Sequence, residues 1–70
     1  MYDYSELRGR AVTKLGSTGA LAKVLGISKN SLSKKFTGKT QWSVEDIEKT
    51  ISVLDIPREK ITFYFFTKKF

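Results

Sequence analysis

The chain has 70 residues, a net charge of +6, no cysteine and no histidine. That length suits a single small domain spanning residues 1–70, and the composition removes disulfides, thiol nucleophiles and the usual zinc sites, so no metal or cofactor is expected. The N-terminal MYDYSELRGR lacks an apolar secretion segment and no stretch approaches the length of a membrane span, which makes a cytoplasmic protein the expectation.

Few regularly spaced turn signals interrupt the sequence, so the predicted fold is all-α, a compact bundle of four to five short helices. The first helix is predicted over Ser5–Leu15, where Leu7, Ala11 and Leu15 share a face, Asp3 and Glu6 have capping-box spacing, and Gly16 suits a left-handed stop. Gly9 inside it costs about 1 kcal/mol relative to Ala, and a close approach by a neighbouring element is its expected reason. The second helix starts from Ser17 as N-cap and runs to Leu25 with Leu21, Ala22 and Leu25 inward, until Gly26 breaks it. Ser28 then caps a third helix carrying Leu32 and Phe36, which Gly38 ends. Two helices joined this tightly must cross steeply, with Ile27 filling the wedge between them.

Ser43 reads as the next N-cap, and Trp42 before it stands at hydrophobic-staple spacing from Ile47. The fourth helix is predicted to reach about Leu54 on an inner stripe of Val44, Ile47, Ile51 and Leu54, and Asp55-Ile56-Pro57 stops it. The aromatic run from Ile61 to Phe66 has two readings. One is a short helix from Arg58 to about Tyr64; the other is a strand that pairs with its copy in a dimer.

Charge is divided along the chain. Between Arg8 and Val44 every charged residue is basic, giving +8, whereas residues 45–59 carry −3. A basic stretch of this kind fits contacts to nucleic-acid phosphates. The outward residues of the third helix, Lys29, Asn30, Ser31, Ser33 and Lys34, form a hydrogen-bonding face. Lysine donates to guanine O6 and N7, and Asn bonds adenine on two atoms, so such a helix suits a major groove.

The run Leu21-Ala22-x-x-Leu25-Gly26-Ile27-Ser28-x-x-x-Leu32-Ser33 resembles the helix-turn-helix of Cro/CI-type phage repressors and related XRE-like bacterial regulators. The resemblance extends over roughly Ser5 to Ile56, and Leu32 to Lys39 resembles the end of a recognition helix with its following loop. It is similar in particular to short phage proteins whose tail reads Ile-Pro followed by a Tyr-Phe-Phe-like ending. The resemblance implies a transcriptional repressor that binds double-stranded DNA at a palindromic operator as a homodimer, nucleoid-associated in a bacterial host. Lys29, Asn30 and Lys34 would then meet base edges, with Ser31, Ser33 and Ser28 as second choices. Ser17 and Thr18 at the start of the second helix, with Ser28, Lys35, Lys39, Thr40 and Gln41, are the expected phosphate contacts. One position departs from the family pattern. An apolar residue usually stands nine after the turn glycine, where this chain has Lys35, followed by Phe36.

Phe63, Tyr64, Phe65 and Phe66 are the candidate dimer surface. The same residues support an alternative, a protein-interaction module or antitoxin-like regulator working through the aromatic tail. Enzymatic function is not expected, because the acids cluster at a helix N-terminus rather than in a cleft. Single-strand binding is disfavoured by the lack of stacking aromatics in most of the basic half.

Overall fold

A computed structural model describes residues 2–68, and among them the fold is all-helical. Helix α1 spans Ser5–Leu15, α2 Thr18–Leu25, α3 Lys29–Phe36, α4 Val44–Val53 and α5 Ile61–Phe65, the last preceded by a 3-10 turn over Arg58–Lys60. Serines start three of them: Ser17, Ser28 and Ser43 each accept a backbone N–H from the residue three ahead. At Ser43 the cap is reciprocal, since Asp46 bonds back to the Ser43 N–H. Gly16 and Gly26 adopt the left-handed conformation as expected, and the N–H of Ile27 returns to Ala22 O, which closes the turn between α2 and α3.

Helix α2 holds the centre and packs against α1, α3 and α4. Its inner face suits that place: Leu21, Ala22 and Leu25 are buried together with Leu7 and Ala11 of α1, Leu32 and Phe36 of α3, and Ile51 of α4. Leu54, Ile56 and Phe65 complete the core. The aromatic tail is a helix rather than a strand, and α5 lies on α1. No helix among the described residues is long and apolar enough to cross a membrane.

The structure alters three details of the sequence reading. Val44 does not join the inner stripe of α4; as the first helical residue it is 78% exposed, and Thr50 is buried beside Ile51 instead. The capping box between Asp3 and Glu6 does not form, because the Asp3 N–H that Glu6 would accept is bonded to Thr67 O at 2.7 Å. Asp3 instead accepts from the N–H and hydroxyl of Ser5. That bond from Asp3 and an antiparallel bridge between Tyr2 and Lys68 join the first and last of the described residues. The third detail is Gly9, which is exposed and has nothing within 4 Å of where a Cβ would stand. No neighbour requires it, so Gly9→Ala should stabilise by about 0.5–1 kcal/mol, seen as a rise of several degrees in melting temperature.

Candidate functional site

Two surfaces could carry function, one basic and one aromatic. The basic one is the outer face of α3. Leu32 and Phe36 turn inward at 2% and 7% exposure, and the helical period leaves Lys29, Asn30, Ser31, Ser33 and Lys34 in water. The structure therefore brings all five predicted base-contact residues onto one exposed helix. Lys29 does not stand straight out. Its aliphatic chain crosses α2 over Gly19, where an added Cβ would come within 2.8 Å of the Lys29 Cε. Thr18, Gly19, Lys29, Ser33 and Arg8 border a concavity of about 250 Å³ between α1, α2 and α3. Arg8 is the member that sequence reasoning missed; its guanidinium lies 5.0 Å from the centre of the Phe36 ring.

The predicted phosphate contacts divide. Lys39, Thr40 and Gln41 are exposed beyond α3, as the sequence suggested. Ser17 and Ser28 have their hydroxyls engaged as caps, Ser28 also bonding to the Ser31 hydroxyl. Lys35 is a correction. Its side chain is only 13% exposed, and its Nζ lies 2.8 Å from Asp46 Oδ2 and 3.1 Å from Gln41 O, above the Trp42 ring. Phe36 takes the core place that the family pattern assigns to position 35, and Lys35 is held by the start of α4. Arg10 and Lys14 are likewise engaged, with the backbone at Leu54 and Asp55 and with the Asp55 carboxylate. The basic block thus reduces to Arg8, Lys23, Lys29, Lys34 and Lys39, which make no ion pair with a described residue.

Partial burial raises the Asp46 pKa, but hydrogen bonds from Lys35 and Ser43 and the Lys35 charge outweigh it and hold the carboxyl below the usual range. A depressed native pKa gives stability that is fully present above the unfolded value of about 3.9 and is lost as pH falls through the native value. Melting temperature should therefore drop below about pH 4, and Asp46→Asn should remove part of that drop. A drop of the same size in the variant would deny the Lys35–Asp46 pair its role.

The aromatic surface lies where the chain ends meet. Trp42 is the hub, with ring centres of Tyr4, Phe36 and Phe65 at 6.0, 5.7 and 5.1 Å. Burial raises the Tyr4 hydroxyl pKa, with a smaller push from Tyr2. Of the predicted dimer residues, Phe65 is 1% exposed and belongs to the core, so it offers almost no area to a second copy. Tyr64 is half-buried, and Phe63 and Phe66 face solvent at 47% and 44%. Phe66 stands edge-on to Tyr2, 5.5 Å between centres, over a cavity of about 420 Å³. Among the described residues no acidic cluster is arranged to hold a metal.

Fold and surfaces together define a small all-helical protein with one basic and one aromatic face. Residues 1–68 match the family described as protein of unknown function (DUF739), and the chain belongs to that family. It is similar to the solution structure of the modulator of repression (MOR) of the temperate bacteriophage TP901-1 from Lactococcus lactis. The identity is 35%, the TM-score 0.80, and the match covers 93% of this chain and 88% of that one. That relative bears the name of a modulator of repression, not of a Cro/CI-type repressor. No curated protein matches the chain at a significant level.

Proposed function

We propose that this chain is a phage-encoded modulator of repression that acts by docking onto a repressor protein. The observation that carries the reading is the 35% identity and TM-score of 0.80 to a phage modulator of repression across nearly the whole chain. The exposed aromatic surface supports it, because apolar rings held in water favour a protein partner over a phosphate backbone. On this reading the protein is a binding partner in the host cytoplasm, not an enzyme.

The test is a mobility shift of the cognate repressor on its operator duplex, with and without added chain. The expected result is a change in repressor occupancy while the chain alone leaves the duplex unshifted at physiological salt. An unchanged repressor complex would sink the proposal.

The exposed α3 face favours a second reading, the Cro/CI-type repressor that binds a palindromic operator as a dimer. It is supported by five polar, acid-free side chains on a helix that follows a tight turn. Selection from a random duplex pool should then enrich one motif. In that case Asn30→Ala should cost about 1–3 kcal/mol and relax one base pair, whereas Lys39→Ala should weaken all sequences alike.

A further inference from the structure

We propose that the aromatic groove between the paired chain ends and the loop after α3 is a peptide-docking site. Its occupant is a short acidic segment of the partner protein that carries a large apolar side chain. The inference rests on the reading of this chain as a protein-binding modulator and names the surface that does the binding.

Shape comes first. Tyr2 and Phe66 form the walls at 40% and 44% exposure, and Trp42 and Phe65 line the space between them. A cavity of about 420 Å³ falls within the range of pockets that take a ligand, and it accommodates one or two large side chains. The walls are built rather than loose, since the Tyr2–Lys68 bridge and the Asp3 to Thr67 bond hold both sides together.

Charge then selects the occupant. Among the described residues no charged side chain lines the cavity. Lys39 lies between the lining residues Gly38 and Thr40, and Lys68 pairs with Tyr2, so both flanks are basic. Past Tyr2 and Tyr4 the surface continues into a second concavity of about 300 Å³ that reaches Arg8. Asp3, which borders that concavity, directs its carboxylate to Ser5. An apolar anchor with flanking carboxylates matches this pattern. A phosphate backbone has no apolar side chain to fill the space between the Tyr2, Trp42 and Phe66 rings, and a second copy would bring +6 against +6.

Trp42 is the only tryptophan and therefore reports on the groove. Heptapeptides are selected from a random display library on the full-length chain, and the winners are titrated against Trp42 fluorescence. Enriched peptides should carry an aromatic or leucine anchor beside Asp or Glu, and binding should shift the emission. Phe66→Ala should weaken binding about tenfold or more, as for a central anchor. Lys39→Glu, which leaves every ring in place, should weaken it and restore affinity for a charge-reversed peptide, while Lys34→Ala should change nothing. Circular dichroism of each variant confirms folding. Absence of enrichment, enrichment of basic peptides, or enrichment of this chain's own sequence overturns the proposal, as does binding indifferent to both Phe66 and Lys39. If peptide binding fails while the chain still alters repressor occupancy, the groove assignment is wrong and the modulator reading stands. If both fail, the modulator reading falls too.

Discussion

Phe65→Ala should cost about 3–5 kcal/mol and leave the chain largely unfolded at physiological temperature. The side chain is 1% exposed, edge-on to Trp42 at 5.1 Å, and it links the tail to a core otherwise built from α1 to α4 and from Leu54 and Ile56 just beyond them. In a 70-residue chain that loss is comparable with the whole expected stability, roughly 0.05–0.15 kcal/mol per residue. Phe63→Ala is the control, because Phe63 is 47% exposed and its ring stands beside Tyr64 and Lys60 rather than in the core. It should change stability by less than about 1 kcal/mol. Urea denaturation of the two variants measures the difference, and equal midpoints would mean that α5 is not an integral part of the core.

Arg10→Ala should cost about 2–3 kcal/mol, with a fall of about 8–16 °C or more in melting temperature. The guanidinium donates from Nε to Leu54 O and from Nη2 to Asp55 O, both at 2.9 Å. These carbonyls lie at the exit of α4, where Asp55 takes a φ of +53° that a residue other than glycine rarely adopts. Without Arg10 one part-buried acceptor loses its partner and the left-handed turn loses its clamp. Arg10→Lys should recover little, since an ammonium cannot reproduce the fork. At a temperature where both forms are folded, affinity for duplex DNA should not change beyond what the loss of one charge explains. A large drop in DNA binding with unchanged stability would place Arg10 on a functional surface instead.

Much of the helix pattern was legible because its signals are local. Ser17, Ser28 and Ser43 announce helix starts through bonds that span three residues, and Gly16 and Gly26 announce stops through their own backbone. The exposed face of α3 follows from the same logic, once Leu32 and Phe36 are recognised as core. What escaped the sequence depends on distant partners. Arg10 finds its acceptors 44 and 45 residues away, and the Asp3 N–H is taken by Thr67 before Glu6 can reach it. Lys35 was visible as a departure from the pattern, but its explanation required Asp46, Trp42 and the Gln41 carbonyl to converge. The composition of the tail said that it must be covered. It did not say that Phe65 would be the fully buried member while Phe63 and Phe66 face water, or that Tyr2 would join Phe66 in walling a groove.

The meeting of Tyr2 with Lys68 also makes the described backbone nearly circular. A short linker joining Lys68 to Tyr2 would close residues 2–68 into a ring with little change in the folded state. By loop-entropy reasoning such a ring would restrict the unfolded chain by up to about 4 kcal/mol. New ends cut at an exposed turn far from the groove would then yield a permuted protein, with the Tyr2–Lys68 junction sealed and both the basic and the aromatic face intact.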